Sequence, residues 1–253
     1  MNFTLIVTGA SRGIGAAVAR AAAGAGMNVV LNARSTDALR ALSDALGGDD
    51  TAVVAGDVSE AGTCRRIVAA ALEKFGRIDA LINNAGILEP VGALDRVSGD
   101  DWARNLRVNV LGPVLMSQAA IPALRQSRGR VINISSGAAV KAVRGWSAYC
   151  TSKAALNHFN RMLAAEFPEI TAIAVSPGMT ATDMQVTIRS EGRGRMPDGE
   201  YQRFVDAHER GELRDPREVA GAVLKLARHA PPAWSGEFLT VDDPRIARLD
   251  DAD

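Results

Sequence analysis

The chain has 253 residues, of which 47% are hydrophobic and 23% charged, and its formal net charge at pH 7 is zero. This composition predicts an ordinary globular protein with a substantial core. A neutral chain has no general attraction to polyanions, so we expect neither nucleic acid nor membrane as a partner. The N-terminus carries no charged leader and no apolar run approaches eighteen residues, so we expect a cytoplasmic protein.

The N-terminal stretch predicts a strand, a glycine turn and a helix. The apolar run Phe3–Val7 breaks at TGASRGIG, and an alanine-rich helical pattern follows. Glycines permit a tight turn and close approach of a phosphate, and the helix N-terminus offers free N–H groups and a positive dipole. The turn therefore predicts a pyrophosphate site, with a mere tight turn as the alternative. Its candidate residues are Gly9, Ser11, Arg12, Gly13, Ile14 and Gly15.

The second predicted strand, Asn28–Leu31, is followed by a basic residue and no acid. In dinucleotide-binding folds an acid near this tip accepts ribose hydroxyls, whereas an arginine matches a 2′-phosphate. Arg34 stands at the tip, and Arg12 adds a second cation in the glycine turn. We therefore predict NADP(H) as the preferred cofactor and NAD(H) as the alternative. Asp37 is the rival feature, and we interpret it as support for the next helix N-terminus.

The third and fourth predicted strands, Thr51–Ala55 and Ile78–Ile82, end in polar or small residues. After the third, two interpretations stay open, because Ser59 is a plausible helix cap and Asp57 stands where α/β sheets bind ligands, facing an adenine ring. After the fourth, the sequence NNAG suits a backbone that passes close to a cofactor, or makes a simple turn.

A tyrosine and a lysine stand four residues apart after the fifth predicted strand, which ends at Ser136. The apolar spacing after Tyr149 and Lys153 predicts an amphipathic helix with both side chains on one face. A nearby cation favours phenolate, which makes a phenol of ordinary pKa about 10 a usable general acid or base. The Ser136 hydroxyl would hold a substrate oxygen against the Tyr149 phenol. The chain has two tyrosines and four lysines, which argues against a chance surface pattern.

One long helix is predicted from about Asp100 to Leu124, with Asn109 inside it. Asparagine is a poor helix former. Asn109 is therefore either a tolerated polar residue or kink, or a buried amide that places a water next to Lys153.

The last third of the chain predicts two more strands, Thr171–Val175 and Gly236–Val241. Between them, residues of about 186–214 are rich in charge and glycine, and we favour a lid over the site against a solvated excursion. Asp215 is predicted to cap the last helix. The acidic tail Leu249–Asp253 is predicted to be frayed.

The seven strands alternate with helices, which implies right-handed crossovers and a parallel sheet. We predict an α/β fold of one domain over residues 1–253, a Rossmann-type doubly wound sheet of seven parallel strands with helices on both faces.

The cysteines and histidines predict no site. Neither Cys64 nor Cys150 has metal-binding spacing, so we expect a reducing compartment, no metal and a packing role for Cys150. The three histidines share no common spacing and are read as ordinary surface or core residues; they are His158, His208 and His229.

Four motifs, TGASRGIG, NNAG, Ser-x12-Tyr-x3-Lys and PGxxxT, occur in an order and at intervals that resemble the short-chain dehydrogenase/reductase family. The resemblance covers residues 3 to about 184 and the final helix and strand. It implies an NAD(P)-dependent oxidoreductase, and we expect a homodimer or homotetramer.

The resemblance also implies roles for single residues. Tyr149 would exchange the proton, Ser136 orient the substrate oxygen, and Lys153 hold the nicotinamide ribose and depress the tyrosine pKa, while Asn109 would position a relay water. The implied cofactor contacts are the pyrophosphate turn at Gly9, Gly13 and Gly15, the adenine contact at Asp57 and Val58, the position below the cofactor at Asn84, the nicotinamide amide and phosphate contacts at Thr180 and Thr182, and the NADP-type basic positions Arg12 and Arg34.

The C-terminal sequence WSGEFLTVDDP departs from the Asp-Gly-Gly ending of ketoacyl reductases and resembles sepiapterin- and benzil-reductase-like carbonyl reductases. We predict NADPH-dependent reduction of a ketone or aldehyde. The alternatives are an NAD(P)-dependent alcohol dehydrogenase acting oxidatively, a non-catalytic dinucleotide sensor, and a dehydratase or epimerase. Apolar residues predicted to wall the pocket of a small, mainly apolar substrate are Leu88, Val143, Trp146, Met179 and Met184.

Overall fold

The computed structural model describes residues 2–249, whose seven strands form one parallel sheet in the order β3-β2-β1-β4-β5-β6-β7. The predicted fold class is confirmed. Of the tail that was predicted to fray, all but Leu249 lies outside the described residues. The strands are β1 (Thr4–Thr8), β2 (Asn28–Ala33), β3 (Thr51–Ala55), β4 (Ala80–Asn83), β5 (Arg130–Ile134), β6 (Thr171–Ser176) and β7 (Phe238–Thr240).

Helices connect the strands and cover the sheet. Short 3₁₀ turns span Gly137–Ala139 and Pro232–Trp234. None of the helices within residues 2–249 combines the length and the apolarity needed to cross a bilayer. The helices are α1 (Gly13–Gly24), α2 (Thr36–Ala45), α3 (Ala61–Phe75), α4 (Gly99–Leu106), α5 (Gly112–Ser127), α6 (Ser147–Glu166), α7 (Asp183–Glu191), α8 (Asp198–Glu209), α9 (Pro216–His229) and α10 (Pro244–Ala247).

The strands are continuous apolar runs because helices cover both faces of the sheet. Successive side chains alternate between two cores, so Leu5 and Val7 pack on the layer of α1, α2, α9 and α10, and Ile6 packs on the layer of α3, α5 and α6. Both β1 and β6 are buried along their whole length. The sheet is therefore a rigid platform whose carboxyl ends position the loops.

The strand order reverses at the neighbouring strands β1 and β4. From this point the chain winds outward in both directions, so the loops after β1 and β4 diverge and leave a crevice between them. Ligands of doubly wound sheets bind in this crevice. The glycine turn follows β1 and the NNAG sequence follows β4, so both predicted cofactor motifs meet there.

The prediction of a single long helix after β4 is wrong in detail, because this segment consists of three parts. Between α4 and α5 the residues Arg107–Leu111 form a π-helical turn, and Asn109 in this turn is fully buried. Extra residues of this kind inside helices are common at functional sites. Asn109 is therefore a buried amide in an irregular turn of the helix.

The charged stretch of about 186–214 is not a solvated excursion, because it includes most of α7 and all of α8. Three of its apolar side chains, Ile188, Met196 and Phe204, are buried against a cluster that contains Tyr149. The segment therefore covers one side of the predicted site. Its movement as a lid stays a prediction.

Local capping follows the predictions with one exception. Asp215 caps α9 by accepting a hydrogen bond from the Arg217 amide at 2.8 Å. Ser59 does not cap α3, whose N-cap is Glu60 without a side-chain bond. Instead the amide and hydroxyl of Ser59 donate to the Asp57 carboxylate at 2.9 and 2.8 Å, because the carboxylate bends back over its own turn.

Candidate active site

A cleft of about 620 Å³ lies at the carboxyl ends of β1, β2, β4 and β5. Its walls are the glycine turn, the tip of β2, the loop after β4, and side chains of α6 and α7. Most of the predicted site residues therefore meet in one place. Those that line the cleft are Gly9, Ser11, Arg12, Gly13, Ile14, Arg34, Asp57, Val58, Asn84, Tyr149, Lys153 and Thr182.

Four predicted residues do not line the cleft, namely Gly15, Asn109, Ser136 and Thr180. Thr180 is buried, and its hydroxyl donates to the Pro177 carbonyl at 3.1 Å, so in this structure it braces the loop after β6. Its predicted contact with a nicotinamide amide stays a prediction. Gly15 and Asn109 support the walls from behind, whereas the Ser136 hydroxyl adjoins the Tyr149 phenol at the edge of the cleft.

The glycine turn has the backbone that a phosphate needs. Gly9 and Gly13 have φ angles of +65° and +55°, which other residues adopt only with strain. A Cβ on Gly15 would lie 2.3 Å from the Gly9 carbonyl oxygen, so only glycine lets α1 pack on the turn. The first turn of α1 holds no acidic residue, and its N-cap side chain makes no capping bond. Its N–H groups therefore suit a pyrophosphate.

The tip of β4 is fastened to the glycine turn by hydrogen bonds. Asn84 donates from its side-chain nitrogen to the carbonyls of Thr8 at 2.9 Å and Gly9 at 3.2 Å. The Thr8 hydroxyl accepts from the amides of Asn84 and Ala85 at 3.0 and 3.1 Å. Thr8 was missed as a site residue, although it stands within the first motif. The two halves of the crevice are thus held at a fixed separation.

Tyr149 and Lys153 lie one turn apart on α6, and both side chains face the cleft, as predicted. They are only 6% and 4% exposed. The Lys153 ammonium lies 5.6 Å from the centre of the Tyr149 ring and donates to the Ile134 carbonyl at 2.8 Å. Neither group points into bulk solvent, so the two form one buried polar wall.

Burial governs the titration of both groups. It raises the pKa of Tyr149 to about 12, with an opposing effect of the neighbouring Ser136 hydroxyl. It lowers the pKa of Lys153 to about 8, because a buried ammonium loses hydration. The expectation that Lys153 depresses the tyrosine pKa is therefore wrong for this chain on its own. At neutral pH the phenol keeps its proton and is a proton donor.

A buried amide network supports the loop after β4. The side-chain oxygen of Asn109 accepts from the Ile87 amide at 2.8 Å, and its nitrogen donates to the Ile87 carbonyl at 2.8 Å and to the Ser152 hydroxyl at 3.1 Å. A Cβ added to Gly86 would meet the Asn109 oxygen at 3.2 Å and the Lys153 nitrogen at 3.5 Å, so these two groups flank one backbone position. The predicted water relay stays a prediction.

Asn105 belongs to this network and was missed by the sequence analysis. It is fully buried, accepts from the Asn109 side chain at 2.9 Å, and donates to the carbonyls of Leu88 and Glu89 at 3.1 and 2.7 Å. The available signal was a pair of asparagines four residues apart inside a predicted helix. Asn105 therefore fixes the loop that forms one wall of the cleft.

Ser136 sits at the end of β5, beside the phenol. Its hydroxyl accepts from the Ala138 amide at 3.1 Å and so caps the short turn that follows. The preceding Ser135 lines the cleft, and its hydroxyl donates to the Asn157 side chain at 2.6 Å. Ser136 keeps its own proton available as a donor, because the capping bond uses it as an acceptor.

The five predicted substrate walls lie in a single apolar cluster with Tyr149. The Trp146 ring meets the Tyr149 ring edge-on at 5.8 Å and packs on Phe204 at 5.0 Å. Of the predicted walls, Leu88 and Met184 line the cleft itself. Val143, Trp146 and Met179 belong to the same cluster but do not line the cleft. The surroundings of the phenol are thus apolar.

The cysteines behave as packing residues. Burial raises the pKa of Cys64 to about 11 and also raises that of Cys150, so both stay thiols at neutral pH. Cys150 packs with Val143 at the edge of the apolar cluster. Across residues 2–249 there is no grouping of three His, Cys, Asp or Glu side chains able to hold a metal.

Comparison with known proteins gives consistent results. The model of the short chain dehydrogenase family matches residues 4–193. An uncharacterized oxidoreductase of Saccharomyces cerevisiae is 36% identical over 251 residues, which cover 98% of both chains. The benzil reductase ((S)-benzoin forming) of the same yeast is 31% identical over 258 residues, covering 97% of this chain and 98% of its own. The solved 3-ketoacyl-(acyl-carrier-protein) reductase from Brucella melitensis complexed with NADH is 27% identical with a TM-score of 0.83, covering 96% of this chain and 98% of that chain.

Proposed function

Since the chain belongs to the short-chain dehydrogenase/reductase family and is an NAD(P)-dependent oxidoreductase, we propose that it uses NADPH to reduce a ketone or aldehyde carbonyl of a small, mainly apolar substrate. The observation that carries this proposal is the phenol of Tyr149. It is buried and protonated, lies one helical turn from Lys153, and faces the same cleft as the glycine turn. A protonated phenol in that place serves reduction, which needs a proton donor.

The chain's own residues supply the proton and the charge stabilisation. The glycine turn would hold NADPH, which when bound would supply the hydride. The Tyr149 hydroxyl donates its proton to the substrate oxygen as negative charge develops there, and the Ser136 hydroxyl donates a second hydrogen bond. Lys153 uses one of its three N–H groups on Ile134, so the others remain for the ribose. Its positive charge offsets the charge that the phenol acquires when its proton leaves.

The preference for NADPH is supported by the cations at the cleft. Arg34 is exposed at the tip of β2, lines the cleft, and makes no hydrogen bond or ion pair with other residues of the range 2–249. No acid stands at that tip to accept ribose hydroxyls. A free guanidinium there favours a 2′-phosphate, which binds arginine through charge-assisted hydrogen bonds.

The substrate class is supported by the apolar cluster around Tyr149. Its side chains offer little hydrogen bonding, so the reacting carbonyl is the main polar group that the site can hold. The relative named for benzil reduction acts on an aromatic diketone, which fits such surroundings. We therefore place diketones and aromatic ketones first among candidate substrates.

The test is NADPH oxidation at saturating cofactor with a panel of diketones, quinones, ketoesters and aldehydes. Turnover of at least one apolar carbonyl compound by the wild type, and its loss in the Tyr149→Phe variant, would support the proposal. NADPH binding without turnover of any member would contradict it and would favour a sensor. Faster oxidation of the matching alcohols with NAD⁺ would favour the oxidative direction.

The expected homodimer or homotetramer and cytoplasmic location remain part of this proposal. Leu72 on α3, Leu111 before α5 and Met162 on α6 are each 41 to 42% exposed on the same helical layer. Exposed apolar side chains on one layer are what a subunit contact would cover. Light scattering of the purified chain tests the oligomer, and a monomer at all concentrations would contradict it.

A further inference from the structure

An ion pair crosses the mouth of the cleft between the glycine turn and α7. The Arg12 guanidinium donates from Nη1 to Oδ2 of Asp183 at 2.8 Å, and both side chains line the cleft. Arg12 precedes the first residue of α1, and Asp183 is the first residue of α7. The pair thus joins two elements that are 171 residues apart in sequence.

The position of Asp183 is fixed by its neighbours. Thr182 precedes it, and a Cβ built on Gly13 would lie only 3.2 Å from the Thr182 methyl carbon. Two positions further along, Gln185 is buried, so this face of α7 is turned towards the protein. Because α7 rests on the glycine turn in this way, the carboxylate stays within reach of Arg12.

A carboxylate and a phosphate compete for the same guanidinium. Both accept the parallel N–H groups of arginine, and the bond to Asp183 already uses Nη1. A 2′-phosphate carries a charge of about −1.5 to −2, more than the single charge of a carboxylate, so it displaces the carboxylate. NADH has no 2′-phosphate and leaves the pair intact.

We propose that Asp183 is a specificity-determining residue, which competes with the 2′-phosphate of NADPH for Arg12 and so moderates the preference for NADPH over NADH. This inference rests on the NADPH preference in the proposed function. The side chains of Arg12 and Asp183 are 70% and 61% exposed, and pairs this exposed change equilibria by about two- to fivefold. The competition therefore lowers NADPH affinity without preventing its binding.

The experiment is a titration of NADPH and NADH by cofactor fluorescence on four proteins: the wild type, Asp183→Asn, Arg12→Gln and the double variant. We expect Asp183→Asn to lower the dissociation constant of NADPH about two- to fivefold, while that of NADH stays nearly the same. In the Arg12→Gln background the same substitution should leave the ratio of the two dissociation constants unchanged, because the competition acts through Arg12.

Asp95→Asn is the matched control. Asp95 forms a somewhat more exposed pair with Arg96 at 3.6 Å and does not line the cleft, so its removal changes the net charge in the same way. In this variant the ratio of the NADPH and NADH dissociation constants should stay at the wild-type value. Unfolding temperatures of all variants report whether the fold is intact.

Two failures are distinguishable. Suppose that the wild type prefers NADPH and that Arg12→Gln weakens this preference. If Asp183→Asn then leaves the preference for NADPH unchanged or lowers it, only the inference about Asp183 is overturned. It is also overturned if Asp183→Asn raises the preference for NADPH equally with and without Arg12. If the wild type binds both cofactors equally and Arg12→Gln changes neither, the NADPH preference of the proposed function itself fails.

Discussion

The ammonium of Lys153 lies 5.6 Å from the ring centre of Tyr149, and burial moves the pKa values of the two groups apart, to about 8 for Lys153 and about 12 for Tyr149. At neutral pH both groups carry their protons, so the wall of the cleft holds one full positive charge and one neutral donor. The site is therefore prepared to give a proton. It also holds a cation that stabilises the phenolate left behind.

Tyr149→Phe tests the proton donor. The variant keeps the ring that packs on Trp146 and removes only the hydroxyl, so NADPH binding and the unfolding temperature should change little. Turnover should fall by at least about 10²-fold, the usual contribution of a positioned general acid. Single-turnover NADPH oxidation measures it. A loss of less than tenfold would assign proton transfer to another group.

The lowered pKa of Lys153 predicts a pH dependence of stability. Between pH 8 and about 10.5, the unfolded chain binds the lysine proton and the folded chain does not, so raising the pH favours the folded state. Compared with Lys153→Met, the wild type should therefore gain free energy of unfolding across this window, by at most about 1.4 kcal/mol per pH unit. Below pH 8 the difference in unfolding free energy between the two proteins should not change with pH.

Urea unfolding at several pH values measures this difference. The raised pKa of Tyr149 acts in the opposite direction but only above about pH 10, so the window from 8 to 10 isolates the lysine. Lys225→Met is the control, because Lys225 is only partly buried, on α9, and does not line the cleft. The prediction would be contradicted if the free energies of unfolding of the wild type and Lys153→Met followed parallel pH profiles from pH 8 to 10.

The elements that determine the cleft were predictable because their patterns are local. The inner strands such as β1 are apolar runs because helices cover them on both sides, and the motif after β1 needs glycine where φ is positive, at Gly9 and Gly13. The spacing of Tyr149 and Lys153 gives one helical face whatever surrounds it. None of these features depends on contacts distant in sequence.

The features that were missed depend on such contacts. Asn105 is a site residue because the loop after β4 turns three carbonyls towards it, and nothing near it in sequence shows this. The buried residues of the charged segment, Ile188, Met196 and Phe204, follow no single period because they belong to two helices and the turn between them. The pKa of Tyr149 required its burial, which depends on those same helices.

Asn105 predicts a graded pair of variants. Asn105→Ala leaves the carbonyls of Leu88 and Glu89 without their side-chain donor and that of Ile87 with Asn109 alone, which should cost about 1–3 kcal/mol. Asn105→Asp keeps the size but turns a carboxylate towards the same oxygens, so it should be less stable than the alanine variant. Thermal unfolding measures both, and an aspartate variant as stable as wild type would refute the network.

Gly15 and Gly24 offer a matched test of the glycine turn, since both lie in α1. A Cβ at Gly15 would lie 2.3 Å from the Gly9 carbonyl oxygen, whereas a Cβ at Gly24 meets nothing within 4 Å. Gly15→Ala should destabilise the protein by about 1–3 kcal/mol and weaken NADPH binding, because the turn must shift. Gly24→Ala should be neutral or slightly stabilising. Equal behaviour of the two variants would contradict this role for Gly15.

Arg34→Asp tests the cation at the tip of β2. The variant removes the proposed partner of the 2′-phosphate and places an acid where ribose hydroxyls are accepted in NAD-binding proteins. The loss of a charge-assisted bond predicts NADPH binding weaker by about tenfold or more, while NADH binding stays the same or improves. Arg40→Asp makes the same charge change on α2 at an exposed residue that does not line the cleft, so it should leave the ratio unchanged. An unaltered NADPH to NADH ratio in Arg34→Asp would remove Arg34 from cofactor selection and leave Arg12 as the cation to examine.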